Sequence, residues 1–209
     1  MLARKLFYCM ATDSSPSTDV FFDELTTELL KLRVLAQRRF RTLSEAQLNR
    51  RPSPSRWSAG QCLEHLNIVG GHYLPEIRAR LARAQAGGSQ PAGSVKHGLV
   101  GARLVAAMRA PTTGPDGKPR TSPQRYAPTG HRLTRTVAEV FSRQLDELLR
   151  LALLARQVNA NAVRIPHPLL PLLRLRLTDT FELLLAHTQR HIRQAEAVLA
   201  GLLAEAPAK

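Results

Sequence analysis

The chain has 209 residues, 44 % of them hydrophobic, enough for one well-filled core, and one domain is the expectation. No apolar run approaches the ~18 residues that cross a bilayer, since the stretch from Leu169 to Leu177 is broken by Pro171, Arg174 and Arg176, so no membrane-spanning helix is expected. The formal charge of +14 raises nucleic acid as a partner, but 25 of the 30 basic residues are arginines scattered along every predicted helix, which favours a solvated basic surface.

Residues 1–17 read as an extended or disordered leader. Its apolar stretch is too short for a secretory signal, so a cytoplasmic location is expected, and Met10 competes with Met1 as the start. With only Cys9 and Cys62 there is no basis for a disulfide framework. The main domain is expected over residues 18–205. Phe21, Leu25, Leu29 and Leu32 recur at three-to-four-residue steps and predict a first helix over 18–43, followed by a proline-bearing connector over 44–56. Ser58 and Gln61 form an S-x-x-Q capping box, which starts a second helix at residue 59. That helix runs to residue 86, with Pro75 as an expected kink and Gly87-Gly88 as its stop.

Residues 87–130 form an irregular insertion, with a short helix expected over 95–109 and a loop at 111–119. A third long helix is predicted over 135–158 from Val137, Phe141, Leu145 and Leu153. Pro166, Pro168 and Pro171 then enforce a connector, and the last helix spans 178–203, capped by Thr178 or Asp179. Four long amphipathic helices, long crossings and no convincing strand give the fold class: all-α, a four-helix bundle.

Two stretches carry chemistry: Trp57-Ser58-Ala59-Gly60-Gln61-Cys62-Leu63-Glu64-His65-Leu66 and His187-Thr188-Gln189-Arg190-His191-Ile192-Arg193-Gln194. Residues four apart share a helix face, so His187 and His191 can reach one ion while a facing helix brings His65. On the last helix Thr180, Leu184, His187, His191, Gln194 and Val198 fall within about an 80° arc, an inward stripe interrupted by two imidazoles. Three protein nitrogens leave a coordination position open, the pattern of a reactive metal rather than a structural one. The plainer alternative is that these are core histidines bonded to their neighbours. An unpaired buried imidazole costs about 1 to 3 kcal/mol, so inward histidines need partners in either case.

Gln194, one turn beyond His191, could orient a ligand ring or a bound water. His72, two turns after His65, is a candidate for the same task or for a fourth ligand. Cys62 is a soft-ligand candidate against the commoner reading of a buried thiol. Glu64 points away from His65, toward the surface. His97, His131 and His167 sit in predicted loops and carry no motif.

In this order the two stretches resemble the DinB-like superfamily of four-helix metal-binding proteins, in the broad bacterial branch that includes the thiol-transferase-type proteins. The matching residues are Trp57-Ser58, the Leu63-Glu64-His65-Leu66 run, and His187, His191 and Gln194, and the likeness spans roughly residues 20–203. It implies long crossover connections and a divalent ion, zinc or nickel, on His65, His187 and His191. In some relatives it implies transfer reactions on low-molecular-weight thiols, so the expected partners are a small thiol and an electrophile. Spare apolar faces allow a homodimer. Two other classes stay open: a non-catalytic metal-binding or stress-related protein, and a basic nucleic-acid-associated protein, which would need its arginines gathered on one surface.

Overall fold

The structure, a computed structural model, describes residues 15–110 and 122–204; Cys9, the choice between Met1 and Met10, most of the leader and the loop at 111–119 lie outside the described residues. The four predicted long helices are present as α1 (Thr18–Arg39), α3 (Ala59–Ala86), α5 (Thr136–Ala155) and α6 (Leu177–Ala204), and the short one as α4 (Leu99–Arg109). A five-residue helix, α2 (Glu45–Asn49), and a 3-10 turn (Gln124–Tyr126) complete the helical part.

α1 starts where the Ser17 hydroxyl accepts from the Val20 amide and stops four residues before the predicted end. Phe40 leaves the helix to bury its ring, and Ser44 opens α2 with its own capping box to Gln47, which plants Leu48 in the core. The proline-bearing connector therefore contains a helix. At Ser58 the predicted box forms, with the Gln61 amide donating to the Ser58 hydroxyl at 3.1 Å and the Ser58 amide to the Gln61 side chain at 3.1 Å. α3 continues through the exposed Pro75 and ends in a Schellman motif. Gly88 takes φ 69°, Ser89 N–H reaches back to Ala84 O and Gly88 N–H to Gln85 O.

The expectation of no strand is overturned between α5 and α6. β1 (Arg164–His167) and β2 (Leu170–Arg176) form an antiparallel hairpin with Ile165 opposite Leu175 and Arg164 opposite Arg176. Prolines are tolerated because a two-stranded ribbon is all edge, and a register shift at Pro166/His167 absorbs the irregularity. The alternation Leu173, Arg174, Leu175, Arg176 is the strand signal: Leu173 and Leu175 pack with Val105 and Leu183 beneath α4, while Arg174 is exposed.

Cross-links between helices set their directions. Arg156 pairs with Asp19 and Asp23 and Arg33 pairs with Asp146, so α1 and α5 run oppositely. Asn67 bonds Val137 O and Arg78 pairs with Glu147, so α3 and α5 run the same way, as do α1 and α6 through Glu28–Gln189 and Arg39–Glu196. A parallel α3–α5 pair requires the connection between them, which carries α4, to return the length of a helix. Each long helix packs on two others, and one apolar core, with Phe22, Leu29, Leu63, Ile77, Leu151 and Phe181 fully buried, fills the interior. Among the described residues, no helix is long and apolar enough to cross a membrane.

The expectation that Thr178 or Asp179 caps α6 is also corrected. The helix starts at Leu177, and both side chains serve the segment ahead of α4: the Thr178 hydroxyl donates to Lys96 O at 3.3 Å, and the Asp179 carboxylate accepts from Gly98 N–H at 3.0 Å. Gly101 permits this, since a Cβ there would fall on the Asp179 side chain.

Candidate metal centre

His65 projects from the second turn of α3 and His187 and His191 from one face of α6, and the antiparallel run of these helices brings the three rings together. Ring centroids lie 4.4 Å (His65–His191), 4.6 Å (His187–His191) and 4.9 Å (His65–His187) apart. One nitrogen from each can be chosen so that all three lie within 4.8 Å of one another. His65 and His187 are buried and His191 is half-buried. Trp57, the residue before the α3 cap, lays its indole against His65 and, nearly parallel, against His191 at 5.9 Å.

Hydrogen bonds fix two of the three tautomers. His65 Nδ1 lies 2.7 Å from Tyr126 O, and a carbonyl only accepts, so Nδ1 carries the proton and Nε2 presents a lone pair inward. His191 Nδ1 lies 3.0 Å from Gln194 Oε1, which fixes it in the same sense. This outward anchoring to a carbonyl or an amide oxygen is how metal-ligating histidines are held.

Burial, then the neighbouring His191, His65 and Arg190, push His187 well below the usual histidine range; burial and His65 take His191 down to about 3. Burial also lowers His65, against the opposing pull of the Tyr126 carbonyl. All three rings are therefore neutral at physiological pH, the form that binds a cation. His65 Nε2 and His187 Nε2 stand 2.9 Å apart, where two lone pairs repel unless a proton or a cation lies between them. Nitrogens around a tetrahedral ion with bonds near 2.05 Å are about 3.3 Å apart, so this pair needs a shift of a few tenths of an ångström, and the three nitrogens together could hold one ion. The donor set suits the nitrogen-loving divalent transition metals.

The remaining candidates divide clearly. Gln194 touches the cluster. His72 is exposed and rests on the Tyr126 ring, 5.3 Å between centroids, outside the three-ring group. Cys62 is fully buried in the core, its thiol pushed up to about 12 by burial, and has no part in the cluster. Glu64 accepts from Gly130 N–H through both oxygens at 3.1 Å, and Gln61 donates to Gly130 O. Together they pin the strap that carries Tyr126 to the side of α3. The Tyr126 carbonyl is the site residue that sequence reasoning missed, and as a backbone group it has no sequence signal. His131 is exposed; His167 accepts from Leu169 N–H in the hairpin turn.

His97 sits elsewhere, its Nδ1 2.9 Å from the Asp179 carboxylate and 3.5 Å from Glu182. The bond to Asp179 raises its pKa, outweighing burial.

A helical scaffold with three neutral, converging imidazoles, two of them anchored from behind, defines a helical protein with a histidine cluster that could hold a metal ion. A family model described as the DinB superfamily matches residues 28–195, and the chain belongs to that superfamily. Comparison with curated proteins and with solved structures found no match.

Proposed function

We propose that the protein is a four-helix bundle of the DinB-like type that holds one divalent ion, zinc or nickel, on His65, His187 and His191 and uses it in a transfer reaction on a low-molecular-weight thiol. The observation that carries this reading is the pair of outward hydrogen bonds, Tyr126 O to His65 and Gln194 to His191, which protonate two Nδ1 atoms and leave two Nε2 atoms as lone-pair donors in a cluster whose ligand atoms lie within 4.8 Å of one another. A divalent ion bound there lowers the pKa of a coordinated thiol and so supplies a thiolate at neutral pH.

The chain's own residues bind and orient. The imidazoles supply three neutral ligands, which leave the net positive charge of the ion uncompensated and favour an anionic fourth ligand such as a thiolate. Trp57 walls one side, its indole against His65 and His191. The nucleophile must come from outside, because Cys62, the free cysteine among the described residues, is buried and fully protonated.

The test is elemental analysis of tag-free protein, wild type beside His65→Ala and His187→Ala. About one ion per chain, lost in both variants, is expected. A wild type that stays metal-free after incubation with zinc and nickel would overturn the reading. With the metal established, a transfer assay using small thiols and an alkylating electrophile tests the reaction; a loaded protein that accelerates no thiol alkylation is a metal-binding protein without this catalysis.

A further inference from the structure

A hollow of about 490 Å³ opens between the 92–96 segment, the turn at 159–162 and the start of α6. Arg176 ends β2 just before α6, and His187 lies about 15 Å along α6 from the helix start at Leu177, so this hollow is separate from the histidine cluster. Its wall carries two cations, Lys96 and Arg176, the amides of Asn159 and Asn161 and the Ser94 hydroxyl, with three small residues between them and no carboxylate.

The frame is fixed by hydrogen bonds that use the Asn161 NH₂ and one Arg176 nitrogen and leave the Asn159 NH₂ as a donor. The Asn161 side chain accepts from Lys96 N–H and donates to Ser94 O, both at 2.7 Å, and Asn161 O accepts from Arg176 at 3.3 Å. Asn159 Oδ1 takes the Asn161 amide, which leaves its own NH₂ uncommitted among the described residues. Neither Lys96 nor Arg176 pairs with a carboxylate among the described residues. The acids nearby on α6 are engaged elsewhere, Asp179 with His97 and Gly98, and Glu182 with Arg109. Two uncompensated cations, one of them a planar guanidinium held by a carbonyl, with a free amide donor beside them, match an oxyanion of charge near two. A volume of about 490 Å³ lies within the range of small-molecule sites.

We propose that this hollow binds a phosphorylated small molecule, its phosphoryl group held by Lys96, Arg176 and the Asn159 amide. The test is titration of the full-length protein with inorganic phosphate and with glycerol 3-phosphate at constant ionic strength, followed by amide NMR. Wild type is compared with Lys96→Ala, Arg176→Gln, Asn159→Asp and His187→Ala, and thermal melts confirm that each variant folds. Saturable shifts confined to residues 92–96, 159–162 and 176–177 are expected, weakened about tenfold or more by Lys96→Ala and Asn159→Asp, which keep the hairpin intact, and untouched by His187→Ala. Shifts that never saturate and spread over the arginine surface, or saturable binding indifferent to Lys96→Ala and Asn159→Asp, would overturn it. Equal binding of acetate would overturn the dianion assignment, and loss of binding in His187→Ala would move the anion to the histidine cluster.

Discussion

One helix, α6, carries two histidine environments of opposite character. Around His187 and His191 the electrostatic neighbours are the other imidazoles, the Arg190 guanidinium and the neutral Gln194 amide, and burial drives the rings neutral. Two turns earlier Asp179 meets His97, and the same kind of ring is driven toward the cation. The side chain is identical; what differs is whether a carboxylate stands within hydrogen-bond reach. The difference between a lone-pair donor for a metal and a ring biased toward its charged form is thus set by the Asp179 and Glu182 carboxylates, present at one site and absent from the other.

The contrast can be broken at either end. The largest effect is expected from His187→Ala, which should take the metal content from about one ion per chain to under about a tenth, read by elemental analysis. Asp179→Ala should leave metal content intact and cost about 3 kcal/mol of stability in urea unfolding, because His97 and Gly98 N–H both lose their buried acceptor. Gln194→Ala should weaken metal affinity about tenfold in competition with a chelator while keeping the stoichiometry at saturation, since His191 loses only its orienting bond.

The pH dependence of the metal-free protein sharpens the same contrast. His97 has a folded pKa above its unfolded value near 6.5, so its contribution is complete below pH 6.5 and is lost as pH rises through the folded value. The cluster histidines have folded values below 6.5, so their contribution is complete above that pH and is lost as pH falls through those values, for His191 about 3. Urea midpoints of His97→Gln against wild type should therefore converge as pH rises above 6.5, with the acid limb of the two curves parallel. The smallest effect is expected for His72→Ala, whose metal content should equal that of wild type because the ring is exposed and touches Tyr126 rather than the cluster.

The parts of the fold that were legible are those where local chemistry and tertiary packing agree. The heptad-like leucines of α1 and α5 and the Ser58/Gln61 box each point to one structure, and the structure follows them. The Ser44/Gln47 box carries the same signature, but Pro52 and Pro54 downstream masked a helix only five residues long. In the hairpin, three prolines hid an alternating Leu/Arg pattern that a two-stranded ribbon accommodates. Asp179 illustrates a different limit: an acid in a first helical turn reads as a cap, and only the approach of Gly98 and Gly101 reveals that it serves another segment. At the candidate metal centre, His65, His187 and His191 were visible as a pattern of residue types, whereas the Tyr126 carbonyl was not, because every residue offers the same group and only the fold selects this one.

That carbonyl belongs to the long connection between α4 and α5, far along the chain from both helices that bear the ligands. Contacts of such separation close late, after the helices themselves have formed. A chain caught with α3 and α6 paired but the connection open would have an untethered His65 ring, free to rotate and to change tautomer. Capture of a cobalt or zinc probe during refolding should then lag behind the recovery of helical circular dichroism, and the lag would time the seating of Gly130 against Gln61 and Glu64.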